Sequence, residues 1–263
     1  MTLTSPGRTI PIAELRGLSA EDSKWIGAFQ NERMLRLLRT LDPDEWDAPT
    51  DCDRWSVKDI VSHLIGWAEF FSSGKEFRHQ FAASIRRRKE LGNPVNAQNE
   101  QQVEDRRHLS PDELIERFEG AMARFLNFRM KVGRYAHFVP WYDPSIIGLS
   151  NLGYIARVIY TRDVFMHRID ISRATDRPVV LEHADAELLA DVVRDWAKRR
   201  KVDATIDLGS VGKFLAGAPH RATIAGNGVQ FSRVMTGRAG PETLALEGDV
   251  AAATGWLAAG VPF

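Results

Sequence analysis

At 263 residues, with 44% hydrophobic and 27% charged side chains, the chain is long enough for one large or two modest globular domains. Lysine plus arginine equals aspartate plus glutamate, 35 of each, so no net field draws it to nucleic acid or acidic lipid, and any ligand must be selected locally. The opening MTLTSPGRTIPIAEL has no basic start followed by an apolar run, nowhere do eighteen uncharged apolar residues occur together, and Cys52 is the single cysteine; a cytoplasmic protein is expected, with no membrane partner and no internal disulfide.

Residues 1–18 carry Pro6, Gly7, Pro11 and Gly17 and read as a loosely held lead-in. Ser19 with Glu21 and Asp22 marks a first helix, carried by Trp25, Ile26, Phe29, Met34 and Leu38 to Leu41 and ended before Pro43. After a proline-broken linker, Ser56 and Asp59 form an S-x-x-D capping pattern, so a second helix is predicted from about Val57. Ile60, His63, Leu64, Trp67 and Phe71 share its buried stripe. In that setting His63 is either a core histidine with a hydrogen-bond partner or a ligand. The run Arg86, Arg87, Arg88, Lys89 reads as solvated charge over a helix end, and no aromatic interleaving supports nucleic-acid binding.

Ser110, Pro111 and Glu113 mark the third helix, which Leu114, Phe118, Met122 and Phe125 carry towards Tyr135. In AHFVPWYDPS, two prolines interrupt the helical pattern, and His137, Phe138, Trp141 and Tyr142 either pack or line a pocket mouth. The fourth helix is predicted from about Leu152 to Thr175. On it Asp163 and His167 are four residues apart, which stacks them on one face with Cβ atoms about 5–6 Å apart. A carboxylate oxygen and an imidazole nitrogen each sit about 2.0–2.2 Å from a bound zinc, so the pair can chelate one ion from a straight helix, and His63 is the candidate for the third ligand. The plainer reading is a surface carboxylate near a histidine. Asp170, one turn beyond His167, either orients a ligand or pairs with an arginine.

A fifth, amphipathic helix is predicted from about Asp185 to Lys201. Ten of the 20 glycines lie from Gly209 onward, and so many turn residues between short apolar runs predict strands at 204–208, 220–225, 229–236 and 243–247. Asn227 and Gly228 predict a hairpin turn between the second and third of these, and Asp249 caps a last short helix. The expected class is α+β: a helical domain over 19–201 followed by a small domain over 202–263.

The segment LDPDEWDAPTDCDRWSVKDIVSHLIGW resembles the second-helix signature of the mycothiol-dependent maleylpyruvate isomerase family, whose helical domain is DinB-like. RDVFMHRIDISRAT resembles its metal-bearing helix, and RVMTGRAGPETLALEGDVAAATGWLAAG is similar to its sterol-carrier-like C-terminal domain. The resemblance implies a DinB-like four-helix bundle followed by a small α/β sterol-carrier-like domain. It also implies a divalent metal, zinc first, held by His63, Asp163 and His167, with aspartate where the best-known member type has glutamate. A basic residue from the C-terminal domain is implied at the active site, for which Arg238 is the candidate and Arg233 the second choice. The implied function is a metal-dependent, mycothiol-type thiol S-transferase or isomerase, acting on a small electrophile through a metal-bound thiolate as monomer or homodimer. The alternative is a non-catalytic, metal-stabilised module that binds an apolar small molecule.

Overall fold

The capping signals in the sequence act where they stand. In the computed structural model, which describes residues 8–132, 138–143, 148–217 and 221–263, the chain divides into two compact units. One consists of Gly27–Ala136 and His167–Pro178, the other of Met1–Ile26, His137–Met166 and Val179–Phe263.

The first unit is helical. It contains most of α1 (Ala20–Leu38) and all of α2 (Val57–Ser72), α3 (Gly74–Arg87) and α4 (Pro94–Glu104). To these it adds the described length of α5 (Pro111–Val132) and the C-terminal part of α7 (Tyr160–Ala174). Ser56 Oγ accepts from the Asp59 N–H at 3.3 Å while the Asp59 carboxylate accepts from the Ser56 N–H at 3.1 Å, so two otherwise unsatisfied donors at the start of α2 are satisfied reciprocally. Ser110 and Glu113 do the same for α5.

Helix α2 is the centre of this unit, buried on nearly every side from Ile60 to Phe71. It packs on α5, α4 and α3. Each fully buried Leu, Ile or Phe there contributes about 1.5–3 kcal/mol relative to exposure. Helix α1 closes on α5 at Gly27, where an added Cβ would lie 2.8 Å from Arg129 Nη1 and 3.2 Å from Leu126 Cδ2. Gln30 of α1 accepts from Arg168 Nε of α7 at 3.4 Å. Four helices, α1, α2, α5 and α7, thus form the expected bundle.

The hairpin of α3 and α4 was not anticipated. Helix α4 buries Ala97, Gln98, Gln102 and Val103, a face half of amides rather than an apolar stripe, so hydrophobic periodicity does not reveal it. Arg87, from the basic run, pairs with Glu104 at 2.6 Å and ties the two helices together.

The predicted fourth helix is present but changes character along its length. It starts as α6 (Leu152–Tyr154), capped by Asn151, widens into a π-turn over Ile155–Ile159, and continues as α7. Such π-turns recur near functional residues. Helix α7 contributes residues to both units.

The second unit holds a five-stranded mixed sheet: β1 (Thr9–Pro11), β4 (Ala204–Asp207), β5 (Lys213–Ala216), β6 (Ala222–Ala225) and β7 (Ala245–Gly248), in the order β1-β5-β4-β6-β7. A separate hairpin pairs β2 (Pro140–Asp143) with β3 (Gly148–Asn151). Alternating burial along β4, β5 and β6 puts Ala204, Ile206, Phe214, Ala216, Ala222 and Ile224 on the covered face. Helix α8 (His183–Arg200) packs on α9 (Gly228–Met235), with the Trp196 ring set edge-on to Phe231 at 5.6 Å. Trp196 Nε1 donates to the Trp256 carbonyl in α10 (Val250–Ala258).

Three expectations in this unit are corrected. Residues 9–11 of the lead-in form an edge strand parallel to β5. Residues 213–216 form a strand where none was predicted. Residues 228–235 form helix α9 rather than a strand, and Asn227 is its N-cap rather than a hairpin residue: Asn227 Oδ1 accepts from Gln230 N at 2.9 Å and Gln230 Oε1 from Asn227 N at 3.2 Å. The buried positions Phe231, Val234 and Met235 follow helical spacing, which prevails over the short Asn-Gly turn signal. Of the aromatic loop, His137 lies outside the described residues, Phe138 is 85% exposed, and Trp141 and Tyr142 belong to β2. No helix among the described residues is long and apolar enough to cross a membrane. The class is α+β, mostly helical with a small mixed sheet, as expected.

Candidate metal centre

Within the helical unit, α2 and α7 bring two imidazoles together. His63 and His167 are both buried, and their ring centroids are 5.4 Å apart at an interplanar angle of 81°. Each ring is held through Nδ1. His63 Nδ1 is 3.0 Å from Gln102 Oε1, on α4, and His167 Nδ1 is 2.9 Å from Asp170 Oδ2, one turn along its own helix. An acceptor at one ring nitrogen directs the lone pair to the other, so both Nε2 atoms are suited to ligation.

Asp163 stands one turn before His167 on α7, as the sequence spacing predicts. One nitrogen from each histidine and one Asp163 oxygen all lie within 4.8 Å of one another. Two imidazoles and a carboxylate at that separation match the donor set of a zinc site with an open fourth position, and the acceptors behind both rings are those that ligating histidines ordinarily have. The residues present therefore fit a divalent cation.

The surroundings restrict solvent and movement. Trp55 lies tilted over both rings, 4.6 Å from His63 and 6.1 Å from His167, and Trp67 meets His63 edge-on at 6.4 Å. Burial, and then the charge of Asp163, pushes the Tyr160 phenol well up, so it stays neutral beside the carboxylate. Arg162, next to Asp163, is fully buried and anchored by Asp191 at 2.7 Å, Asp195 at 3.1 Å and the Pro262 carbonyl at 2.8 Å. Burial alone would lower its pKa, but the charge of Asp191 leads a set of anionic neighbours that raise it, so it remains a cation.

Cys52, Asp170 and His167 form a second cluster of possible ligand atoms within the same 4.8 Å limit, and Cys52 Sγ donates to Asp170 Oδ2 at 3.6 Å. Sequence reasoning assigned no role to Trp55, Gln102 or Cys52. Trp55 sits in a turn, its N–H bonded to the Cys52 carbonyl, where no periodicity marks it. Arg238 follows α9 and is partly exposed; its N–H donates to the Arg233 carbonyl at 2.8 Å, and Arg233 Nη2 donates to the Arg238 carbonyl at 3.2 Å.

Residues 30–172, more than half of the chain, match the model of the mycothiol maleylpyruvate isomerase N-terminal domain. The chain belongs to this family. The matched span contains His63, Asp163, His167 and Asp170, and ends before Arg238. Two solved structures are similar: the crystal structure of the mycothiol-dependent maleylpyruvate isomerase, with a TM-score of 0.55, and that of a single-residue alanine mutant of it, with 0.57. Each is 14% identical, with 91% of this chain and 96% of the other covered, and at that identity the likeness is one of fold. No curated protein sequence matches the chain. Membership of the maleylpyruvate isomerase family agrees with the expectation of an enzyme of the isomerase or transferase type.

Proposed function

We propose that this isomerase-family protein is a metal-dependent enzyme that uses a mycothiol-type thiol as co-substrate, either isomerising a small electrophile or transferring the thiol's sulfur to it. The observation that carries the reading is that candidate ligand atoms of His63, Asp163 and His167 lie within 4.8 Å of one another, inside a domain of this family. These three residues would hold a divalent cation, zinc in our reading, which would supply the Lewis acidity that favours thiolate over thiol.

The protein's own groups do the rest. His63, Asp163 and His167 hold the cation, and Gln102 and Asp170 orient the two rings behind it. Trp55 covers both imidazoles and limits water near the nucleophile. Arg238, assigned by family resemblance, binds a carboxylate or the negative charge that develops on the electrophile when sulfur adds.

For isomerisation, the sulfur adds to a carbon of a conjugated double bond and its π electrons move onto the neighbouring carbonyl. The carbon–carbon bond, now single, rotates; the electrons return and the thiolate leaves, so the thiol is regenerated. For transfer, sulfur displaces a leaving group and stays on the product. Asp163, one methylene shorter than glutamate, sets the carboxylate closer to its helix and so tunes cation affinity. The helical part to about residue 201 carries the cation and the part from 202 supplies Arg238, in a cytoplasmic monomer or homodimer that binds neither nucleic acid nor membrane.

The test is to load the purified protein with zinc and to follow both maleylpyruvate isomerisation and consumption of an alkylating electrophile, with and without mycothiol. The reading expects consumption of one substrate that needs both zinc and thiol. Thiol-independent behaviour, together with tight capture of an apolar ligand, would replace it with the binding-module reading.

A further inference from the structure

Behind His63 lies a line of buried amides that begins at a main-chain carbonyl. Gln80, on α3, donates through Nε2 to the Gly66 carbonyl of α2 at 2.9 Å and to Glu76 Oε2 at 3.3 Å. Its Oε1 accepts from Gln102 Nε2 at 2.9 Å and from Gln98 Nε2 at 3.3 Å. Gln102 Oε1 then faces His63 Nδ1 at 3.0 Å. Gln80 and Gln102 are fully buried, so water does not substitute for any lost partner.

The direction of this line is fixed by chemistry at its far end. A main-chain carbonyl and a carboxylate only accept, so the nitrogen of Gln80 must face Gly66 and Glu76. All four hydrogen-bonding positions of the Gln80 amide are then used, two donors and two acceptors. Its oxygen must therefore face Gln102, which turns the Gln102 nitrogen toward Gln80 and the Gln102 oxygen toward His63. An oxygen can only accept, so His63 carries a proton on Nδ1, and in the neutral ring the lone pair is then on Nε2.

We infer that Gln80 and Gln102 are positioning residues that lock His63 in the tautomer presenting Nε2, with Gly66 as the residue that admits them. A Cβ at Gly66 would lie 2.3 Å from Gln102 Cγ and 2.5 Å from Gln102 Cβ, so only glycine leaves room for this amide against α2. His167 receives the same tautomer from a carboxylate, Asp170, and the two ligating rings are thus oriented by acceptors of different charge. The inference rests on the metal reading for its purpose, though not for the tautomer itself.

The test separates the two. In the metal-free full chain, above the ordinary histidine pKa of about 6.5, the imidazole nitrogen-15 shifts and long-range proton couplings of His63 should show protonated Nδ1 and unprotonated Nε2. Gln102→Met, close in shape but with no acceptor, should lose that pattern and bind zinc about 10- to 100-fold more weakly. Gln102→Glu, which keeps an acceptor oxygen toward His63 but loses the donor to Gln80 Oε1, should keep the tautomer. A wild-type His63 protonated on Nε2, or a tautomer unchanged in Gln102→Met, would overturn the inference. Should Gln102→Met fail to fold, the wild-type spectrum decides. If the tautomer is as inferred but wild type binds no zinc, the metal reading fails and the amide relay stands; if zinc binds but the tautomer is reversed, the relay fails and the metal reading stands.

Discussion

His63 and His167 meet edge to face with their centroids 5.4 Å apart, although they come from helices α2 and α7 of the bundle. Two buried imidazoles this close would repel if both were protonated, so the arrangement is suited to neutral rings sharing a cation. Each ring has its own acceptor behind Nδ1, and Trp55 covers the pair.

Asp170→Asn should weaken zinc binding by about 10- to 100-fold without unfolding the protein, since it weakens the acceptor behind His167 while keeping its shape. Competition with a chromophoric chelator measures the affinity and circular dichroism the fold. Unchanged affinity would remove Asp170 from the support of His167.

Gly66→Ala should destabilise the helical unit by about 1–3 kcal/mol, because the added methyl meets the side chain of Gln102, which has nowhere to go. Gly74→Ala is the control: nothing lies within 4 Å of a Cβ there. It should be neutral or stabilising by up to about 1 kcal/mol. Urea denaturation of the two variants gives the comparison.

Glu69 sits among arginines: Arg117 donates to it twice at 2.9 Å, and the fully buried Arg106 pairs with it. Burial would raise its pKa, but the hydrogen bonds from Arg117 and Arg106 outweigh burial and hold it below the ordinary 4.5. A carboxyl depressed by folding contributes stability that is present above its unfolded pKa and lost as pH falls through its folded value. Wild type should therefore lose stability below about pH 4.5. Glu69→Ala should cost about 3–5 kcal/mol at neutral pH by leaving Arg106 buried without its main partner. It should also flatten the acid limb of the stability profile, and denaturant titration across pH reads both effects.

Arg238→Ala should leave zinc stoichiometry unchanged while lowering kcat by roughly 10²- to 10³-fold, the scale of losing one donor to developing negative charge. Steady-state kinetics on the zinc-loaded protein checks it. Wild-type turnover in that variant would move the role to Arg233 or away from the C-terminal arginines.

The parts legible in the sequence are those that local chemistry dictates. Ser56 and Asp59 announce α2, Ser110 and Glu113 announce α5, and the four-residue spacing of Asp163 and His167 places both on one face of α7. His63 was legible as a polar residue in an apolar stripe, and so as the candidate third ligand, but not as to what holds its ring. The amides behind it were not legible at all, because Gln80, Gln98 and Gln102 look like solvent-facing residues until α3 and α4 fold back on α2. Helix α9 was misread because Asn227-Gly228 serves equally as a turn and as a cap; the helical spacing of Phe231, Val234 and Met235, with Phe231 packed against Trp196, separates the two. The strand at 9–11 is too short to carry a pattern; its place comes from pairing with β5.

The most direct measurement is metal stoichiometry by elemental analysis, on wild type and on His63→Ala after equilibration with zinc and removal of excess. The account predicts about one zinc per chain in wild type and almost none in a folded His63→Ala variant, as expected of a three-ligand site that loses one ligand. A folded His63→Ala protein that retains a full equivalent of zinc would contradict it.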